Sequence, residues 1–400
     1  MPPITSSASR RSRIALFQTG FRPFFLGASC FSVLSMSIWL IAYSTDWQIG
    51  SFQYFRSATN WHAHEMIFGY TLAVVAGFLL TAVKNWTGIQ TAAGTKLCLL
   101  FSIWLVARVM VYFTDGLYSF VLPLADLLFN FYFVATIAIP LLKTDKRSNF
   151  WIIVPKLFLL ALANLLFYLG QAGVVEDGMR YGLYGGVYLI LSLIFVMARR
   201  VMPFFIERAL GITVRNDKRI DILSLILFLL FFIIDMINPF SKISAVIAAL
   251  LVVLHCIRLS GWYHPGIWSR PLLWVLFAGY LWIILGLAIK AVSAFAGWSP
   301  LLALHAYTFG GIGMMTLGMM ARISLGHTGR DIYHPPGTLK WAFTLMMIGC
   351  VIRVIPPLFT ASYYAEMIAL SQLLWVFAFT LFLVRYLPLF IFPRIDGQPG

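Results

Sequence analysis

The stretch Leu272-Leu-Trp-Val-Leu-Phe-Ala-Gly-Tyr-Leu-Trp-Ile-Ile-Leu-Gly-Leu-Ala-Ile289 contains no charged side chain over 18 residues. Residues 222–234 are also uncharged, and residues 120–142 carry one charge, Asp126. A helix needs about 20 predominantly apolar residues to cross the hydrocarbon core of a bilayer. The recurrence of such runs predicts helices that span a membrane.

The composition of the 400-residue chain agrees, with 61% hydrophobic and only 11% charged residues. A soluble domain has about 25% charged residues, so this chain would present too apolar a surface to water. A membrane β-barrel would show segments of about ten residues with alternating polarity, and no such pattern occurs. The sequence therefore predicts an all-α, polytopic transmembrane bundle, a single membrane domain over residues 1–400 with the lipid bilayer as its partner.

The distribution of charge narrows the class of protein further. The N-terminus is basic, and no small-residue cleavage site follows the first apolar run, so we expect an uncleaved anchor. The net charge of +15 is spread over loops between apolar helices, which argues against a nucleic-acid-binding surface. The four cysteines lie singly inside apolar runs and are interpreted as small core residues.

The apolar runs predict about twelve helices. They cover residues 24–44, 61–83, 96–113, 118–142, 150–173, 180–201, 220–236, 241–259, 271–296, 300–323, 339–358 and 363–386. Of the 29 Lys and Arg residues, 22 fall on one predicted side and only Arg56, Arg180 and Lys242 on the other, while Arg108, Lys156, Lys290 and Arg353 fall within helices. Because Lys and Arg accumulate on cytoplasmic loops, both termini are predicted to be cytoplasmic.

The second and tenth predicted helices share a repeat at an offset of 241 residues. At this offset His64 aligns with His305, Gly69 with Gly310, and Gly77 with Gly318. The following helices continue the likeness, since Leu105-Val-Ala-Arg-Val resembles Cys350-Val-Ile-Arg-Val after a four-residue insertion. A shift of eight helices suggests three units of four helices, at residues 20–145, 146–262 and 263–390.

Three ionisable residues, His62, His64 and Glu65, lie within four positions at the predicted outer end of the second helix. Such groups are costly in lipid and tend to face a cavity, a partner or a cofactor. The repeat places His64 and His305 at one depth, where two imidazoles could hold a haem iron. The alternative is that each histidine satisfies interfacial hydrogen bonds.

Other residues are predicted to complete this site. Arg108 and Arg353 reach the same depth and could bind haem propionates, although Asp126 and Glu65 are alternative partners for them. Gly69 and Gly310 would let a macrocycle or another helix approach the backbone, and Tyr307 would line the site.

Several remaining side chains receive simpler interpretations. His327 lies 22 residues beyond His305, about 33 Å along a helix, and therefore belongs to the cytoplasmic face. There it forms a polar basic cluster with Arg322 and Arg330, interpreted as an anchor to lipid headgroups. The methionines near residue 315 could be soft-metal ligands, but gap-filling helix packing is the simpler explanation.

Six strings resemble the NnrS family, and the resemblance covers nearly the whole chain. They are Gly20-Phe-Arg-Pro-Phe-Phe-Leu-Gly, Trp61-His-Ala-His-Glu-Met-Ile-Phe-Gly-Tyr, Met202-Pro-Phe-Phe, His305-Ala-Tyr-Thr-Phe-Gly-Gly-Ile-Gly, Met314-Met-Thr-Leu-Gly-Met-Met-Ala-Arg and Gly326-His-Thr-Gly-Arg. The resemblance implies a bacterial inner-membrane protein that contains haem and copper and takes part in nitric oxide metabolism and resistance to nitrosative stress. We therefore assign a b-type haem to His64 with His305, and His62 as the copper candidate.

The layout also resembles the main subunits of haem-copper oxidases, which have twelve helices in three four-helix units. Those enzymes carry copper-binding histidines on helices 6 and 7, whereas this sequence has none there. A binuclear oxygen- or nitric-oxide-reducing centre is therefore not evident, and whether the protein is an enzyme stays open. The alternatives are a transporter of a metal or small anion, with His62, His64, Glu65 and Arg108 along its path, and an electron-transferring cytochrome whose donor is unknown.

Overall fold

The computed structural model describes residues 14–45, 47–113, 118–144 and 147–398, and every regular element in these parts is helical. The helices are α1 (Phe21–Ser44), α2 (Gly50–Tyr54), α3 (Ala58–His64), α4 (Leu72–Thr87), α5 (Thr95–Met110), α6 (Tyr118–Leu142), α7 (Ser148–Gln171), α8 (Gly178–Leu210), α9 (Lys218–Ile237), α10 (Lys242–Trp262), α11 (Pro271–Ala296), α12 (Pro300–His305), α13 (Met314–His327), α14 (Thr338–Val354) and α15 (Tyr364–Ile391). Two π-helical segments, Glu65–Thr71 and Ala306–Gly313, join α3 to α4 and α12 to α13.

The predicted all-α membrane bundle is confirmed. Within the described residues, eleven helical stretches are long and apolar enough to cross a bilayer, so the chain is a multi-pass membrane protein. The third predicted helix corresponds to α5, whose 16 residues span only about 24 Å. The sixth predicted helix corresponds to α8, which continues to Leu210, beyond the predicted end at residue 201. A helix can continue past the charged residues that mark where the chain leaves the lipid.

The first and last long helices are neighbours in the bundle. Helix α1 packs on α15, and the Ala15 amide just before α1 donates to the Ile391 carbonyl at 2.7 Å. Helix α15 packs on α14, and α10 packs on α11. The contacts of α1 with α15 and of α10 with α11 join different predicted four-helix units, and the division into three units stays a prediction.

The sequence repeat has a counterpart in backbone geometry. The stretch Ala58–Thr87 and the stretch Pro300–His327 each begin as α-helix, widen into a π segment and return to α-helix. The π segments begin at Glu65 and Ala306, which are separated by the same 241 residues that relate His64 to His305. Because π segments inside α-helices occur frequently at functional sites, these two positions direct attention to the histidines that precede them.

Helices α7 and α8 form a close antiparallel pair that brings α7 side chains to the site. At Gly182 an added Cβ atom would lie 2.6 Å from the Ala163 carbonyl oxygen and 2.7 Å from the Phe167 Cβ atom. At Gly185, one turn further along α8, the nearest atoms would lie 3.8 Å away, at ordinary contact distance. Gly182 therefore sets the separation of the two helices, and Gly185 does not.

We expect Gly182→Ala to lower the unfolding temperature of the detergent-purified protein, because overpacking costs about 1–3 kcal/mol. Gly185→Ala is the matched control and should unfold at the wild-type temperature or slightly above it, since Ala favours helix. Equal unfolding temperatures for the two variants would contradict this account of the helix pair.

Candidate functional site

The His64 side chain is fully buried and both of its ring nitrogens are hydrogen-bonded. Nδ1 lies 2.9 Å from Glu65 Oε1, and Nε2 lies 2.9 Å from Asn164 Oδ1. The Asn164 amide nitrogen donates to Asp126 Oδ2 at 2.9 Å, so its oxygen is the atom turned toward His64. Both ring nitrogens of His64 are therefore engaged by side chains of the protein.

Arg108 links the two carboxylates of this buried network. Its Nη1 atom lies 2.5 Å from Glu65 Oε2, and its Nη2 atom lies 2.5 Å from Asp126 Oδ1. Asp126 also accepts a hydrogen bond from the Tyr168 hydroxyl at 3.0 Å. His64 Nε2 also lies 3.5 Å from Asp126 Oδ2, so the His64 ring contacts both carboxylates of the network.

The predicted protein partners of Arg108, Glu65 and Asp126, are therefore the ones that the structure shows. Their bonds engage Nη1 and Nη2 of the guanidinium, and Nε is buried without a hydrogen-bond partner among the described residues. Arg108 therefore already has two carboxylate partners from the protein. The side chain of Arg108 is only 2% exposed, and those of Glu65 and Asp126 are fully buried. We refer to His64, Glu65, Arg108, Asp126, Asn164 and Tyr168 as the buried charge network.

His305 lies in different surroundings from His64. Its Nδ1 atom donates to the Leu301 carbonyl at 2.7 Å, which places the ring proton there and leaves a lone pair on Nε2. The Arg353 Nη2 atom donates to that Nε2 at 3.2 Å, and Arg353 Nη1 donates to the Tyr364 hydroxyl at 3.3 Å. His305 is therefore a neutral imidazole held between a backbone carbonyl and a guanidinium.

His62 belongs with His305, although it is only two residues from His64. Residues at i and i+2 of a helix point about 200° apart, and His62 accordingly stacks on Trp39, with ring centroids 4.9 Å apart and an interplanar angle of 8°. His62 and Arg353 both lie within electrostatic range of the His305 ring. The His62 Nδ1 atom is buried and has no hydrogen-bond partner among the described residues.

The structure thus brings His305 together with His62 and Arg353, whereas the sequence analysis paired His305 with His64. The physical reason is that the buried charge network holds His64 on the side of α3 that faces Asn164 of α7. Both ring nitrogens of His64 are hydrogen-bonded within the protein, so iron binding at His64 would require one of these bonds to break.

The predicted lining residues also have other roles in the structure. At Gly69 an added Cβ atom would lie 2.7 Å from Arg108 Nη1 and 2.7 Å from Phe31, and at Gly310 it would lie 2.5 Å from Trp282. These glycines make room for protein side chains and not for a macrocycle. Tyr307 packs against Gly286 and lies within electrostatic range of Asp235, so it does not join His305 and Arg353.

The sequence analysis missed Asn164 and Tyr168 as members of the buried charge network. It also missed two further buried ion pairs, one between Asp235 and Lys290 at 2.7 Å and one between Asp221 and Arg258 at 3.0 Å. Single charges inside apolar runs were the available signal, because an ionised group within a membrane-spanning helix needs a partner. The sequence does not show which partner each one takes.

Three side chains could contact a cofactor. His62 Nδ1 is buried without a partner among the described residues, His305 Nε2 carries a lone pair, and Arg353 contacts the His305 ring and lies within electrostatic range of His62. Two imidazoles and a guanidinium are side chains that could hold the iron and a carboxylate of a haem. Over the described ranges, no group of three or more His, Cys, Asp or Glu side chains is arranged to hold a metal ion, so a copper site with three such ligands has no counterpart there.

We expect Arg108→Gln to destabilise the protein by about 3–5 kcal/mol, because it leaves two buried carboxylates without their cation. Arg180→Gln is the matched control, since its ion pair with Asp177 joins side chains that are 31% and 58% exposed. Exposed pairs contribute about 1 kcal/mol or less. Chemical unfolding of the purified variants measures both effects, and similar losses for the two would contradict the assigned importance of the buried charge network.

Comparison with known proteins bears on the identity of this chain. The comparison with curated proteins gives no match. The family model described as NnrS protein matches residues 15–394 of the 400, which includes both histidine-bearing spans and the helices of the buried charge network. The match extends over nearly the whole chain, so the protein belongs to the NnrS family.

Proposed function

We propose that this protein is a haem-binding membrane protein of the nitric oxide response, with His62 and His305 as the iron ligands. The observation that carries the proposal is the proximity of three groups. They are the His62 ring, whose buried Nδ1 has no hydrogen-bond partner among the described residues, the His305 ring, which has a lone pair on Nε2, and the Arg353 guanidinium. The link to nitric oxide rests on membership of the NnrS family. When bound, haem supplies a redox-active iron that can coordinate small gaseous ligands.

The hydrogen bonding of His305 supports its role as a ligand. Metal-bound histidines commonly donate the second ring N–H to a backbone carbonyl or carboxylate, which fixes the tautomer and the ring orientation. His305 already makes this bond to Leu301, at 2.7 Å. Its Nε2 lone pair is therefore set in place by the fold, and only the guanidinium of Arg353 stands in front of it.

Arg353 suits a carboxylate of the cofactor better than Arg108 does. It is 7% exposed, its hydrogen-bond partners are the uncharged Tyr364 hydroxyl and His305 ring, and it forms no ion pair within the described residues. A buried guanidinium without a counter-ion is costly, and a propionate would provide bidentate charge-assisted hydrogen bonds. The same contact would draw Arg353 away from the His305 lone pair.

Copper remains a prediction from the family resemblance, with His62 as its predicted ligand. A b-type haem held by His62 and His305 would use the same imidazole. Metal and haem analysis of His62→Ala therefore distinguishes the two assignments, since loss of haem supports the first and loss of copper alone supports the second.

The wild-type protein, purified from haem-replete cells, should show a Soret band. We expect His62→Ala and His305→Ala to lose the band or to shift it, because each would remove a proposed iron ligand. His64→Ala should keep the position of the band and instead lower the unfolding temperature, because it disturbs the buried charge network. Absorption spectra at equal protein concentration measure these changes.

His334→Ala is the control for the histidine variants, since its side chain is 83% exposed and pairs only with Asp331. It should retain the wild-type spectrum. A colourless wild-type preparation would overturn the haem proposal, whereas an altered spectrum in His64→Ala but not in His62→Ala would restore the ligand pair inferred from the sequence. Addition of nitric oxide to the reduced protein should change the spectrum if the iron serves nitric oxide chemistry.

A second candidate function is transport, and the paired π segments favour it. Transporters often place their substrate site where helices are interrupted at corresponding positions of two repeats. Here Glu65–Thr71 and Ala306–Gly313 occupy corresponding positions in two spans. Uptake of a metal or small anion by proteoliposomes that contain haem-free protein would support this function over the first.

We also propose that the protein resides in the bacterial inner membrane with both termini in the cytoplasm. The excess of Lys and Arg on one side supports this orientation. A green fluorescent protein fused after Gly400 should therefore fluoresce, and alkaline phosphatase at the same position should be inactive. The opposite pair of results would reverse the orientation of every helix.

A further inference from the structure

A cluster of basic side chains lies where α1 begins and where α4, α13 and α15 end. Its members are Arg22, Lys84, His327, Arg330, Arg385 and Arg394, which lie within electrostatic range of one another as a chain of neighbours. Two of the strings quoted above meet here, since Arg22 belongs to the first and His327 and Arg330 belong to the last. The cluster is separate from the site at His305, because His327 ends the span in which His305 lies near the start.

Arg22 is the fully buried member of this basic cluster. Its Nη1 atom donates to the carbonyls of Leu389, Phe390 and Phe392 at 2.8, 3.4 and 2.7 Å. These bonds satisfy carbonyls at the C-terminal end of α15, where the helix dipole favours a cation. They account for one side of the guanidinium only, because Nε and Nη2 are buried without a hydrogen-bond partner among the described residues.

Arg330, at the edge of the basic cluster, also has a guanidinium nitrogen without a hydrogen-bond partner among the described residues. Its side chain is half-buried, the nitrogen is Nη1, and the nearby Tyr386 hydroxyl lacks a partner in the described ranges as well. Arg385 is exposed at the same edge. Three guanidinium nitrogens of two neighbouring arginines, Nε and Nη2 of Arg22 and Nη1 of Arg330, therefore have no hydrogen-bond acceptor among the described residues.

The acidic residue found beside the basic cluster does not supply that acceptor. Both carboxylate oxygens of Asp396 already accept hydrogen bonds from Arg394, at 2.9 and 2.6 Å. This short-range pair neutralises Arg394 and leaves the charges of Arg22 and Arg330 uncompensated within the described residues. Like charges that are held together and partly desolvated destabilise a fold unless an anion joins them.

We propose that the basic cluster binds a phosphate group, with Arg22 beneath it and Arg330 and Arg385 at its rim. Guanidinium groups match the geometry of phosphate oxygens and stay charged when desolvated. The helix ends that carry the cluster lie at the predicted cytoplasmic surface, at the depth where phospholipid headgroups lie. The phosphate comes from an anionic lipid headgroup or from free phosphate, and one experiment distinguishes the two sources.

The test uses the full-length protein purified in detergent and measures its unfolding temperature during two titrations. One titration adds phosphatidylglycerol, with phosphatidylcholine as the neutral comparison, and the other adds inorganic phosphate against chloride at matched ionic strength. Stabilisation by phosphatidylglycerol alone identifies the lipid headgroup as the source. Stabilisation by inorganic phosphate as well identifies a site for free phosphate, and no stabilisation by either overturns the proposal.

Arg330→Gln locates the binding site, because it removes a guanidinium nitrogen that no described residue uses. We expect it to need about tenfold more ligand for half of the stabilisation, since charge-assisted hydrogen bonds are lost. Arg219→Gln is the matched control, an exposed arginine on the same predicted side but at the start of α9. Equal responses of the two variants would overturn the assignment to the basic cluster.

Arg385→Gln serves as a second variant if Arg330→Gln does not fold. It changes an exposed side chain, so its unfolding temperature without ligand should match that of the wild type. A weakened response to the ligand, several-fold below that of Arg219→Gln, is the expected result. An unchanged response of Arg385→Gln, with Arg330→Gln unfolded, would count as a failure of the proposal.

Discussion

The cost of leaving an ionised group without a partner in the bilayer organises the helices around Arg108. Arg108 bridges Glu65 and Asp126, and His64 contacts both carboxylates. These side chains come from the His64-bearing span, α5 and α6, while Asn164 and Tyr168 add α7. One network of ion pairs and hydrogen bonds therefore links four consecutive spans, because the helices cannot separate without exposing an ionised group to lipid.

The same network explains why two histidines that are two residues apart have different surroundings. Both ring nitrogens of His64 are hydrogen-bonded to protein side chains, whereas His62 stacks on Trp39 and keeps a ring nitrogen without a partner among the described residues. A ring nitrogen that is already hydrogen-bonded has to give up that bond before it can bind a metal. The face of the helix with the ion pairs is therefore occupied by protein partners, and the face toward His305 and Arg353 is the one to which the haem proposal refers.

Some buried cations have a carboxylate partner from the protein and others do not. Arg108, Lys290 and Arg258 each pair with a carboxylate. Arg353, beside the His305 imidazole, and Arg22 with Arg330, at the predicted cytoplasmic end, form no ion pair within the described residues. Cations that the protein itself does not neutralise are the places where ligands with carboxylate or phosphate groups would add most stability.

The sequence by itself determined the membrane class, the order of the apolar spans and the repeat that relates His64 to His305, because length, apolarity and spacing are local properties. It predicted twelve spans, whereas eleven helical stretches among the described residues are long and apolar enough to cross a bilayer. Only the tertiary structure decided that His62, and not His64, accompanies His305, and that Gly69 and Gly310 accommodate Arg108 and Trp282. Those outcomes depend on how each helix is rotated about its axis, at 100° per residue, and on partners far away in sequence, such as Asn164 at 100 residues from His64. Side-chain rotation and distant partners are set by packing, which periodicity alone does not encode.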